Sequence, residues 1–160
     1  FLLIKLDKIL NMLNNFLNLN TNLNLNTNLN MNDEFNIKTN YIKLGKRFCD
    51  NYYNLCDNNF SKLEENYNTK STFTFCEEEF KSFKDYSNKI KLFLGIFKFQ
   101  HTIKKIDSQP VGDYGMLICV YGTVKINNNL IEQKFSETFI LEKNSNNIFY
   151  IINTIFRVIE

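Results

Sequence analysis

Tryptophan and alanine are absent from this 160-residue chain, and proline and histidine occur once each, as Pro110 and His101. A lone histidine excludes a histidine-built metal cluster, and five scattered glycines form no loop able to cradle a phosphate. Cys49, Cys56, Cys76 and Cys119 lie too far apart for a C-x-x-C motif and are too few for a disulfide framework. They read as reduced, mostly buried thiols of an intracellular protein. Long apolar runs are also missing. The opening FLLIKLDKIL is interrupted by Lys5, Asp7 and Lys8, which excludes a signal-peptide core and a membrane span. Nineteen basic residues against seventeen acidic leave a net charge of +2, too little for an electrostatic nucleic-acid binder. No cofactor motif is present.

Apolar residues make up 44% of the chain and aromatics 15%, enough for one domain with a real core. Asparagine occurs 27 times and lysine supplies seventeen of the nineteen bases, the mark of codon bias in an AT-rich genome. Composition therefore says little about chemistry. The first residue is Phe1 instead of Met, as expected of a fragment or an imperfect gene model. Residues 1–32 read as an Asn-rich, disordered low-complexity leader: Leu2, Leu6, Leu10, Leu13 and Leu17 have helical spacing, and every even position from Asn18 to Asn32 is Asn. The folded domain is expected over residues 33–160.

Within it, Tyr41, Leu44, Phe48, Tyr52 and Leu55 recur every three or four residues and predict a long helix ended by Asp57-Asn58-Asn59. Residues 60–67 predict a second, shorter helix with Leu63 and Tyr67 inward, followed by a β-rich Thr72–Cys76 and an acidic turn at Glu77–Glu79. A third helix is expected from about Ser82 to Phe93. Four strand-like runs follow at 97–107, 114–127, 131–142 and 147–159, separated by turns at 109–113, 127–129 and 144–147. Helices first and an antiparallel meander after them give an α+β fold.

Both faces of that sheet are apolar. Met116, Ile118, Val120, Val124 and Ile126 alternate with Leu117, Cys119 and Tyr121. The last run sets Ile148, Tyr150, Ile152, Phe156 and Val158 against Phe149, Ile151, Ile155 and Ile159. Three helices cover one face only, so the other is expected to meet a second copy of the chain.

Leu44-Gly45, Phe48, Tyr52-Tyr53, Leu55 and Asp57-Asn58 in the first helix are similar to the nuclear transport factor 2 family. So are Gln100-His101-Thr102-Ile103 with Asp107 and Gln109-Pro110, the thirteen residues from Gly122 to Phe135, Phe139-Ile140-Leu141, and Asn153-Thr-Ile-Phe-Arg157. The resemblance spans roughly residues 35–158. It implies a cone-shaped curved antiparallel sheet wrapped by three helices, a homodimer formed through the sheet, and a non-catalytic carrier of Ran-GDP. Such a carrier works between cytoplasm and nucleus and crosses the nuclear pore on weak contacts with Phe-Gly nucleoporins.

Carried over by position, the resemblance assigns the Ran pocket to Phe75, Phe93, Phe99, Ile131 and Phe156, and the Phe-Gly contact to Tyr41. The chain departs from the family where carboxylates meet a Ran lysine, since Cys76, Asn127 and Asn129 stand there. Those losses and Gly122-Thr-Val-Lys-Ile126 are similar to an mRNA-export branch whose members heterodimerise with an export receptor. The fold also houses isomerases and dehydratases. However, His101 and Asp107, six apart on one strand, lie roughly 20 Å from each other and form no acid–base pair.

Overall fold

The computed structural model describes residues 36–94, 98–126 and 132–159, with the backbone alone at 91–94 and 126. The leader expected over 1–32 lies outside the described residues. Helix α1 runs Ile37–Asn58. Asn36 caps it, its side chain accepting from the Lys38 N–H at 3.1 Å. One face buries Ile37, Leu44, Cys49, Tyr52, Tyr53 and Cys56, in line with the helical period of the sequence. A 3₁₀ turn over Phe60–Asn66 sinks Leu63 into the core. Strand β1 spans Tyr67–Phe75 and β2 Glu78–Phe80. Helix α2 spans Phe83–Leu94, with the Ser82 hydroxyl accepting from the Asp85 N–H at 3.1 Å. Strands β3 (Phe99–Val111), β4 (Gly115–Ile126), β5 (Glu132–Lys143) and β6 (Phe149–Ile159) complete the domain.

The strands form one curved sheet in the order β2-β1-β6-β5-β4-β3, with the helices on one side, an α+β cone. The later four strands make the expected antiparallel meander. The sheet as a whole is mixed, because β1 runs parallel to β6. Strand β2 and helix α2 intervene between β1 and the meander, so β1 is free to dock on β6 in that direction.

Several boundaries differ from the sequence reading. Tyr67 opens β1 instead of closing a helix. The acidic run is not a simple turn: Glu78 and Glu79 pair with Phe75 and Thr74. Strand β3 continues through Pro110 to Val111, which shortens the turn. β3 is the outer edge of the sheet, where a residue lacking an N–H costs no ladder bond. In β6 the partners step from Asn153 opposite Ile140 to Ile151 opposite Leu141, leaving Ile152 as an extra residue. This bulge flips the alternation, so Ile151, expected beside Ile155, shares the buried face with Thr154 and Phe156.

Inside, Phe73, Phe135, Phe139, Met116, Ile118, Leu141 and Ile151 are among the largest fully buried side chains. Phe139 receives the edges of Phe48 and Tyr52 at 5.2 and 4.8 Å between centroids. Gly122 lies opposite Phe135, and a Cβ there would come within 2.9 Å of the Phe135 ring. The small residue and the large one thirteen positions later are thus one packing unit. On the outer face, Tyr121, Ile140, Ile155 and Ile159 are all exposed. Leu117 lies beside Ile140, and Cys119 lies in a row with Thr138 and Ile155.

Candidate functional site

Phe75 of β1 stacks on Phe156 of β6 at 5.1 Å and 12°, and Phe156 stacks on Phe135 of β5 at 5.4 Å and 18°. The register explains the first pair, since Phe75 and Phe156 are partners across the parallel ladder. The outer ring, Phe75, is half-buried, while Phe156 and Phe135 are buried. Beside this ladder of rings lies a cavity of about 30 Å³, room for a water or two. Its wall includes Phe75, Phe99, Phe156, Tyr86, His101 and Glu137.

Three of the five expected pocket residues, Phe75, Phe99 and Phe156, thus come together at one cavity. Phe93 lies on α2, but its side chain is outside the described residues, as are Ile131, Asn127 and Asn129. Cys76 follows β1 in a left-handed conformation, φ 57°, and its N–H donates to the Phe156 carbonyl at 2.9 Å. Tyr41 is half-buried in the second turn of α1 and packs on the core, apart from the cavity.

The polar floor of the cavity was not singled out from the sequence. Glu137, 5% exposed, stands on β5 between the core residues Phe135 and Phe139. Its Oε1 accepts from the Tyr52 hydroxyl at 3.1 Å and the Thr154 hydroxyl at 3.2 Å, and its Oε2 accepts from the Tyr53 hydroxyl at 2.8 Å. The Tyr52 and Tyr67 hydroxyls share a further bond of 3.2 Å. Burial pushes the Glu137 carboxyl above its ordinary range, and the Tyr53 hydroxyl, His101, Tyr52 and Thr154 pull it back only in part. The same burial pushes the Tyr52, Tyr53 and Tyr67 hydroxyls well up, so they remain donors. The signal for Glu137 was its place in Phe135-Ser-Glu-Thr-Phe139, where strand alternation puts an acid between two core phenylalanines.

His101 has a carboxylate partner, though not on its own strand. Its Nδ1 lies 2.6 Å from Asp57 Oδ1, and its backbone N–H donates to Asp57 Oδ2 at 3.0 Å. The ring packs against Tyr53, Phe99 and Phe135. Asp107 lies elsewhere on β3, exposed beside Lys105 at 3.5 Å. Among the described residues, no group of three or more His, Cys, Asp or Glu could hold a metal. None of the described helices is long and apolar enough to cross a membrane.

Comparison with known proteins agrees with this geometry. Residues 44–158 match the nuclear transport factor 2 (NTF2) domain. Nuclear transport factor 2 of Eremothecium gossypii is 32% identical over 120 residues, covering 74% of this chain and 94% of that protein. Nuclear transport factor 2 of Saccharomyces cerevisiae is 33% identical over 116 residues, covering 72% and 91%. The solved structure of nuclear transport factor 2 from Cryptosporidium parvum superposes with a TM-score of 0.65 at 28% identity, over 82% of this chain and 99% of that one. By the extent of the domain match and the identity to full-length relatives, the chain belongs to the nuclear transport factor 2 family.

Proposed function

We propose that the chain is a non-catalytic nucleocytoplasmic transport factor that carries Ran-GDP and touches Phe-Gly nucleoporins at the nuclear pore. The observation that carries this reading is the ladder Phe75–Phe156–Phe135, with its outermost ring half-buried. A ring offered by a partner extends that stack on Phe75, which suits an aromatic anchor on the cargo. The cavity behind it is too small for a phenyl group, so the partner ring stacks on Phe75 or displaces it. The relatives named nuclear transport factor 2 support the same role.

The homodimer belongs to this proposal. Tyr121, Ile140, Ile155 and Ile159 form an exposed apolar sheet surface of the kind that a second copy covers. Tyr41, half-buried on α1, is the proposed Phe-Gly contact. Titration of the chain with GDP-loaded Ran tests the cargo: binding at about tens of micromolar or tighter, lost in Phe75→Ala, is expected. Absence of heat or shift in that range rejects it. Phe-Gly repeats on a solid support test Tyr41, whose replacement by Ala should release them.

The mRNA-export reading, in which the sheet meets an export receptor, is favoured by Cys76 standing where the carrier branch has a carboxylate. Replacement of homodimer by heterodimer on adding such a receptor would select it.

A further inference from the structure

The cavity floor carries chemistry that an aromatic anchor does not use. Glu137 and His101 line the cavity, His101 is in turn held by the part-buried Asp57 carboxylate, and none of the residues lining the cavity is Lys or Arg. With Glu137 ionised, the cluster carries more negative than positive charge whatever the state of His101. A carboxylate offers roughly four lone-pair positions, and three hydroxyls occupy three of those on Glu137. The rest of the wall is largely aromatic, with Phe75, Phe99, Phe156 and Tyr86 around the same space. Aromatic faces attract cations, and a dry carboxylate does so more strongly. A cavity of about 30 Å³ accepts a water-sized head group.

We propose that this cavity is a binding site for an alkylammonium group, whose head sits against Glu137 while its methylenes lie against the aromatic wall that Phe75, Phe99 and Tyr86 contribute. An ammonium donates to the remaining Glu137 position and cancels the net charge. A carboxylate or phosphate is repelled by the same floor. A guanidinium, planar and broader, exceeds the space. The ammonium comes either from a lysine side chain of a protein partner or from a free aliphatic amine. The site stands independently of whether Ran is the cargo.

The test is calorimetric titration of the whole chain near neutral pH with n-butylamine and, as its neutral counterpart, n-butanol. The amine is expected to bind at least tenfold tighter than the alcohol, and Glu137→Gln, which keeps the shape and removes the charge, to erase that difference. Equal affinities in the unaltered chain, no amine binding, or an amine preference that survives in a folded Glu137→Gln overturns the proposal. Should Glu137→Gln not fold, the amine-to-alcohol ratio in the unaltered chain decides alone. Putrescine and a lysine peptide with its Nε-acetylated form identify the source: peptide binding lost on acetylation points to a protein partner, and putrescine binding without peptide binding to a free amine.

Discussion

The Asp57 carboxylate grips His101 twice, through the ring Nδ1 at 2.6 Å and the backbone N–H at 3.0 Å. This pins the last turn of α1 to the start of β3 across 44 residues of chain. The His101 side chain is 7% exposed and that of Asp57 20%, so water competes poorly for either bond.

Asp57→Ala should therefore cost about 2 to 3 kcal/mol, because it leaves two buried donors unmet. Asp107→Ala, at an exposed carboxylate beside Lys105, should change stability by less than about 0.5 kcal/mol. Urea denaturation of the two variants checks the contrast, and equal losses would show that the Asp57 grip carries no special weight.

The approach of α1 to β3 also depends on Gly45. A Cβ at this position would overlap the Ser108 Oγ and come within 2.9 Å of its Cβ. Gly45→Ala should destabilise by about 1 to 3 kcal/mol through forced separation of helix and strand. Adding Ser108→Gly removes the obstructing side chain and should return part of the loss. A double variant no more stable than Gly45→Ala, by thermal melting, contradicts this account.

Helices and meander were legible because their apolar periods are long: Leu44, Phe48, Tyr52 and Leu55 for α1, and Met116, Ile118 and Val120 for β4. The Ile152 bulge was not legible, since one inserted residue reverses the faces without altering composition. Phe75 and Phe156 meet because β1 docks parallel on β6, a pairing between distant segments. The Asp57–His101 and Glu137–Tyr52–Tyr53 bonds depend on elements far apart in sequence, and no local pattern encodes such meetings. Strand rise excluded Asp107 as a partner of His101, as the structure shows, but it could not point to Asp57 on α1.

The four cysteines should react in a fixed order. All are thiols; Cys119 is exposed on the outer sheet face, Cys76 is half-buried, and Cys49 and Cys56 are buried. Burial, with Glu137 and Asp50 nearby, pushes the Cys49 thiol up to about 12, which leaves almost no thiolate at neutral pH. Iodoacetamide followed by peptide mass mapping should find Cys119 alkylated first, and Cys49 and Cys56 only after denaturant. The proposed homodimer adds a condition. If a second copy covers the outer face, the Cys119 rate falls as protein concentration rises through the dimerisation range. A concentration-independent rate, with a monomer in sedimentation equilibrium, would remove the dimer.

The raised carboxyl of Glu137 predicts a particular dependence of stability on pH. Its ordinary value is 4.5, and burial lifts it in the folded chain more than Tyr53, His101, Tyr52 and Thr154 lower it. The native state therefore holds the Glu137 proton more tightly than the unfolded chain. That contribution is fully present below about pH 4.5, and it fades as pH rises through the folded value. Glu137→Gln lacks the titration. The stability of the unaltered chain relative to this variant should be greatest at the acidic end, fall with rising pH, and level off once the buried carboxyl is ionised. Taking the difference cancels every other titrating group that the two proteins share. Tyr53→Phe removes the 2.8 Å hydroxyl bond to Oε2 and should carry the fall to higher pH, since the carboxylate loses its shortest donor. Parallel curves for the unaltered chain and Glu137→Gln from pH 4 to 8 would show that the buried carboxyl titrates as it does in the unfolded chain.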